Sequence, residues 1–346
     1  MDTESLPNRP KPHVALKKHL GTFFFFSAAG LVVGFLMYGP VFAADFKSGR
    51  RKNCASRYKY VNPEPDCETL EDTIGRLQGV ERDVDSIIDD ALKKGKATRI
   101  SVFARDLTTL RYVSVNELEL YSPASLMKIP LMLAYFRIAE SDPSILTKQL
   151  VYESGPNFNL NQEMQEFEEA TQLVVGQSYS VENLIARMIK YSDNNATTLL
   201  LDNINKDYLE RTLLEIGIRI PKLDGMGNRD FVTVKSFTAL IRFLYNSTFL
   251  TRESSNKALQ LLSESTFHQG MRFVVPETTV VAEKYGERSI RDENGTVLSR
   301  ELHECGLVYS VGRPYTFCVF TEGKNYVDLL DTLRQIEKSI HQNITQ

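Results

Sequence analysis

Residues 121–130 read YSPASLMKIP and set a serine and a lysine three positions apart among apolar neighbours. In a helix that opens near Pro123, Ser125 and Lys128 share one face, so hydroxyl and amine can meet. A serine hydroxyl is a weak nucleophile until a base takes its proton. Burial among Leu126, Met127, Ile129, Leu131 and Met132 would lower the lysine pKa and leave a neutral amine for that task. The first turn of such a helix also has unpaired backbone N–H groups, and the N–H of Ser125 can face a developing oxyanion. The plainer reading is a lysine that snorkels to water, and a lone S-x-x-K recurs by chance.

A second polar cluster, Ser192-Asp193-Asn194, interrupts MIKYSDNNATTLLL (188–201) between two helical patterns. Its structural reading is an N-cap for the helix that follows. A third, Lys284-Tyr285-Gly286, closes the apolar run TTVVAE, where a lysine leaving a strand is ordinarily an edge charge.

Three such clusters need a frame to bring them together. Helical periodicity starts near Val84, followed by two β-rich runs, TRISVFARD and LRYVSVNE. A helical block comes next, over 122–139, 180–190, 195–202, 207–216, 232–245 and 252–264. Strands return as TTVVAEKYG, LHECGLVYS and PYTFCVF. The chain closes on a helix, NYVDLLDTLRQIEKSIHQ, with Val327, Leu330, Leu333 and Ile336 expected to face the core. This order predicts an α+β fold in which first and last strands share one antiparallel sheet flanked by helices, with a separate helical lobe.

Taken in order and in that context, the clusters resemble the S-x-x-K, S-D-N and K-T-G set of the class A β-lactamases and their penicillin-binding relatives. The resemblance spans roughly residues 84–343 and implies a β-lactamase/transpeptidase-like fold. It also implies residue roles. Ser125 would accept the acyl group and Lys128 would be its base. Ser192 would relay a proton to the leaving nitrogen, and Asn194 would hold the substrate amide and the lysine. Lys284 would supply positive charge near a substrate carboxylate, and Gly286 would let the strand edge approach substrate. The backbone N–H of Glu287 would complete the oxyanion hole with that of Ser125. The acyl donor would be a β-lactam or a peptidoglycan-type peptide, and no metal or other cofactor is implied.

Two departures qualify this pattern. Tyr285 stands where the family has threonine or serine, which removes a short hydroxyl suited to a substrate carboxylate. In the stretch after the S-D-N helix, where class A enzymes carry the glutamate that activates the deacylating water, GIRIPKLDGMGNRDFVTVKS (217–236) contains no glutamate. Asp224 and Asp230 remain as candidate bases. Glu163, Glu166, Glu168 and Glu169 precede Ser192 and read as a solvated acidic helical face. His268 and His303 read as structural.

The remaining segments bear on location. Residues 21–44, GTFFFFSAAGLVVGFLMYGPVFAA, carry no charge over a length that spans a bilayer as a helix. They read as a single-pass transmembrane signal-anchor after a cytoplasmic segment 1–20, or as a cleaved signal peptide ending near Ala43. A juxtamembrane linker 45–81 and an extracytoplasmic hydrolase domain 82–346 would follow. The four cysteines fall into two local pairs, Cys54 with Cys67 and Cys305 with Cys318. For the second pair, a hairpin turning at 310–313 places the two residues opposite each other, and two buried thiols are the alternative. A net charge of −3 gives no basic field for nucleic acid. Against the hydrolase stands a catalytically silent, membrane-tethered binding module, which would have no need of a buried lysine beside a serine.

Overall fold

The computed structural model describes residues 59–61, 75–153, 155–164, 172–221 and 230–345. The chain divides into two units, Met1–Cys54 and Ala55–Gln346, and every described residue lies in the second. The apolar run 21–44, the pair Cys54 and Cys67, and Asp224 fall outside the described residues. No helix among the described residues is long and apolar enough to cross a membrane.

Five strands build the main sheet: β1 (Arg99–Asp106), β2 (Tyr112–Val115), β5 (Val281–Arg291), β6 (Val297–Val308) and β7 (Tyr315–Gly323). Their order is β2-β1-β7-β6-β5, antiparallel throughout, so first and last strands pair and β5 is an edge. β3 (Gln149–Val151) and β4 (Ser178–Ser180) form a separate two-stranded ribbon.

Eight longer helices are described: α1 (Gln78–Lys93), α2 (Lys128–Ala139), α3 (Val181–Lys190), α4 (Asn194–Asn203), α5 (Lys206–Glu215), α6 (Val234–Tyr245), α7 (Arg252–Ser263) and α8 (Tyr326–Thr345). Caps explain several of the starts. Ser180 accepts the N–H of Asn183, Asn205 accepts that of Tyr208, and Thr233 forms a reciprocal capping box with Ser236.

Because side chains alternate along a strand, the sheet buries two cores. One face carries Phe103, Ala282, Cys305 and Cys318 and packs on the lobe of α2–α7. The other carries Val102, Val281, Leu302 and Val319 and packs on α1 and α8. The α8 stripe differs from expectation: Val327 is 78% exposed, whereas Tyr326, Leu329, Leu333, Ile336, Ile340 and Ile344 are buried. A strict three-residue spacing drifts off the 3.6-residue period, so the seam follows steps of three and four instead. α1 likewise starts before Val84 and adds Val80 to its buried face. Within the stretch read as linker, Val61 is buried and Tyr60 meets Tyr309, whose hydroxyl donates to the Tyr60 carbonyl at 2.7 Å.

The hairpin between β6 and β7 has the expected register. Cys305 pairs with Cys318 and the two are disulfide-bonded; Gly312, at φ +75°, closes the turn. The row continues across the sheet as Phe103, Cys318, Cys305 and Lys284.

On the opposite face three glutamates, Glu283, Glu304 and Glu337, are wholly buried, and Arg272 Nε lies 2.6 Å from Glu283 Oε1. Glu304 Oε1 accepts the Met271 N–H at 3.1 Å. Gly270 is required here, since a Cβ at that position would lie 1.5 Å from Glu304 Oε2. Neither oxygen of Glu337 has a hydrogen-bond partner among the described residues, and burial favours its protonated form. Burial pushes the carboxyls of Glu304 and Glu337 well above the usual range; the charge of Glu337 adds to this at Glu304, and that of Glu283 adds to it at Glu337. The folded chain therefore keeps protons that the unfolded chain releases above the ordinary glutamate value of 4.5. Each such group removes about 1.4 kcal/mol of stability per pH unit above that value, until its folded pKa is reached. Glu337→Gln is expected to lose less stability than the parent between about pH 5 and about pH 8, as measured by denaturant unfolding. An unchanged pH slope would show that Glu337 is not held protonated.

Candidate active site

Ser125 lies in a single 3-10 turn, Ala124–Met127, that runs directly into α2. The turn is held from outside. Tyr121 and Val232 exchange backbone hydrogen bonds of 2.8 and 3.1 Å, and the buried His303 reaches the Ser122 carbonyl with Nε2 at 3.0 Å. Because His303 Nδ1 accepts the Thr321 N–H, its proton sits on Nε2 and is donated to that carbonyl. Burial lowers the imidazole pKa to about 3, so the ring stays neutral and structural, as expected from sequence. Ala124 adopts φ +47° and Ser192 φ +56°, a left-handed conformation that non-glycine residues rarely take. Both strained positions adjoin the candidate chemistry, and sequence gave no sign of either.

The lysine does not snorkel. Lys128 is 4% exposed, and its Nζ lies 3.0 Å from Ser125 Oγ, 2.9 Å from Ser192 Oγ, 2.6 Å from the Ser192 carbonyl and 2.7 Å from Asn194 Oδ1. Two of these partners, the carbonyl and the amide oxygen, can only accept. They take the two hydrogens of a neutral amine and leave its lone pair for a serine hydroxyl. The orientation of the Asn194 amide is fixed by its Nδ2, which donates to the Phe158 carbonyl at 3.1 Å. Burial holds the Lys128 pKa well below its usual value, and the charge of Lys284 lowers it further.

Asp193 fulfils the plainer reading of its motif at the same time. It caps α4, its Oδ1 accepting from the N–H groups of Asn195 and Ala196 at 2.9 and 3.1 Å. The same oxygen accepts from Asn159 Nδ2, and Asn159 Oδ1 in turn accepts the Asn194 N–H. One cap thus fixes the turn from which Ser192 and Asn194 face Lys128.

From the sheet, β5 supplies the other wall. Gly286 lies against the Ser125 turn, where a Cβ would stand 3.1 Å from the Pro123 carbonyl and 3.3 Å from Leu126. Its smallness therefore admits the Ser125 turn. Lys284 is fully buried; its Nζ donates to the Tyr285 carbonyl at 3.0 Å and lies 4.2 Å from the Tyr285 ring centre. Burial brings its pKa down to about 7, with Glu287 as the chief opposing charge. Tyr285 stacks on Phe267 and donates its hydroxyl to Gln162 Oε1 at 3.3 Å.

Sequence reasoning missed the segment 157–164, which crosses from the helical lobe to β5. Gln162 Nε2 donates to the Ser192 carbonyl at 2.9 Å. Glu287, expected to act only through its backbone, accepts the N–H groups of Glu163 and Met164 on its carboxylate at 2.8 and 3.0 Å. Glu163 does not lie on a solvated helical face: it accepts from Ser289 at 2.8 Å and pairs with Arg300 at 3.0 Å and Arg291 at 3.4 Å. The amide-rich NFNLNQ was the available signal, since side-chain amides can satisfy a neighbouring helix start and cross a cleft. Asp230, a candidate base, pairs instead with Arg99 at 3.1 Å. Ser125, Lys128, Asn194 and Glu287 all line one cavity of about 440 Å³.

A family model described as the beta-lactamase enzyme family matches residues 81–344. The chain belongs to that family. Among solved structures, a mutant of PBP-A captured as an acyl-enzyme complex with penicillin G has a TM-score of 0.63 at 16% identity, covering 79% of this chain and 98% of its own. A beta lactamase from Xanthomonas campestris gives 0.62 at 19% identity over 77% and 98%, and a class A beta-lactamase from Mycobacterium abscessus gives 0.61 at 19% over 76% and 98%. At these identities the likeness is one of fold: the α+β architecture of this family member is that of the beta-lactamases. No curated protein is significantly similar to the chain.

The two buried amines give a pH prediction. Lys128 can take a proton from Ser125 only while unprotonated, and the charge on Lys284 helps to keep it so. In Lys284→Gln the Lys128 pKa rises, and the acidic limb of the pH profile for Ser125 modification moves to higher pH. A limb that stays in place would mean that Lys284 does not act on Lys128.

Proposed function

We propose that the chain is an exported serine hydrolase of beta-lactamase type that forms an acyl-enzyme at Ser125, with a β-lactam or a related cell-wall peptide amide as donor. The observation that carries this reading is the Lys128 amine, buried and bonded to both candidate serines. Lys128 accepts the Ser125 proton as Oγ attacks the carbonyl carbon, and the N–H groups of Ser125 and Glu287 receive the oxyanion. As the carbonyl–nitrogen bond breaks, Ser192 passes a proton to the leaving nitrogen, refilled from Lys128. Asn194 holds Lys128 in place, and Lys284 acts through its charge on the same amine.

Deacylation is the slow step in this reading. No glutamate occurs in 217–236, and Asp230 is committed to Arg99. A missing base costs roughly 10²–10⁴ in the step it serves. Export rests on the uncharged run 21–44, as a membrane anchor or a leader, and on the disulfide between Cys305 and Cys318, which suits an oxidising compartment.

With penicillin G the full chain is expected to gain one adduct, read by intact mass, and Ser125→Ala none. A chromogenic cephalosporin is expected to give a burst of about one product per enzyme followed by slow turnover. Fast linear turnover without an adduct would place an efficient deacylating base in the chain, and an adduct that survives in Ser125→Ala would remove the nucleophile assignment.

A further inference from the structure

A neutral Lys128 has one lone pair, and two serine hydroxyls stand within reach of it. Ser125 Oγ lies 3.0 Å and Ser192 Oγ 2.9 Å from Nζ, while the two amine hydrogens go to the Ser192 carbonyl and the Asn194 amide oxygen. Only the hydroxyl that donates to the lone pair is activated. Distance does not choose between the two, so the choice rests on where the Ser192 hydrogen points.

Tracing donors around Ser192 fixes that direction. The Ser192 carbonyl can only accept, so the Gln162 amide that meets it at 2.9 Å presents Nε2. The same amide therefore turns Oε1 to Tyr285, which donates its single hydrogen there across 3.3 Å. The Tyr285 hydroxyl also meets the Ser192 hydroxyl. With its hydrogen on Gln162, Tyr285 can only accept in that contact, and Ser192 must donate. The phenol is held in this pose, because its ring is buried and stacked on Phe267 at 4.2 Å between centres.

We propose that Tyr285 is a positioning residue that selects the nucleophile: by accepting the Ser192 hydrogen it leaves the Lys128 lone pair to Ser125. This rests on Ser125 being the nucleophile proposed above. Once Lys128 holds the Ser125 proton it has a hydrogen to give Ser192 Oγ, and the Ser192 hydrogen leaves Tyr285 for the departing nitrogen. Gln162 acts one step further back, by fixing which way Tyr285 donates.

The test is labelling of the full chain by a fluorophosphonate, whose leaving group needs no proton from Ser192. Lys128 takes the Ser125 proton, the bond from Oγ to phosphorus forms, the phosphorus–fluorine bond breaks and fluoride departs. In Tyr285→Phe the ring stays and the acceptor is lost, so the Ser192 hydrogen turns to Lys128 and competes with Ser125. The labelling rate is expected to fall about three- to tenfold, the worth of one hydrogen bond. Gln162→Leu, which frees the Tyr285 hydrogen to point at Ser192, should slow labelling by a similar factor. In a Ser192→Ala background the competitor is gone, and adding Tyr285→Phe should change the rate less than about twofold. A merely loosened site would keep the same loss in both backgrounds. The rate is read from the approach to the plateau, so a misfolded fraction lowers the plateau alone. An equal loss in both backgrounds, or no loss in either, with labelling abolished by Ser125→Ala, would overturn the role of Tyr285 and leave the nucleophile assignment standing. Labelling that persists in Ser125→Ala, or none in the parent, would overturn both.

Discussion

The site is organised around one constraint: an amine that has left water must have every hydrogen and its lone pair placed. Lys128 satisfies it with partners from two segments distant in sequence, the serine of its own turn and the Ser192–Asn194 segment. A buried ammonium in the same position would need a counter-charge, and its direct partners are neutral. Removing any one partner leaves a polar group buried without compensation, so the turns that present those partners are held by groups well behind them. Asp193 and Asn159 hold one turn, and His303 and the Tyr121–Val232 bridge hold the other.

Strain falls at the same two turns. The left-handed residues Ala124 and Ser192 each aim a neighbouring or own side chain at Lys128, and the surrounding bonds over-determine their conformation. Opposite them, β5 sets Gly286 close against the Ser125 turn. The crossing segment 157–164 then couples lobe to sheet edge through amide and carboxylate contacts.

Much of this was legible in the sequence because it depends on local pattern. Helix limits followed from caps and periodicity: 180–190 and 252–264 match α3 and α7 to within a residue. The hairpin register followed from counting residues between Cys305 and Cys318. The serine and lysine at helical spacing were visible as a pair, and their junction with Ser192 needed the resemblance in motif order. What stayed hidden depends on contacts between distant segments. The spacing of Glu163 with its acidic neighbours looked helical, yet its partners are arginines of β5 and β6 more than a hundred residues away. Likewise nothing local marks Glu304 and Glu337 as buried, because each sits in an ordinary strand or helix pattern and only the packing of α8 on the sheet brings them together.

The row that ends on Lys284 has a consequence for how the sheet is assembled. Cys305 and Cys318 face the helical lobe beside that lysine, and alternation would send a strand misaligned by one residue to the opposite face. In such a chain the two sulfurs would point away from each other and could not join. Bridge formation is therefore a gauge of phase: molecules that oxidise are those in which β6 and β7 are aligned, with Lys284's neighbour on the correct side. Oxidation of the two thiols would thereby sort correctly aligned sheets from misaligned ones.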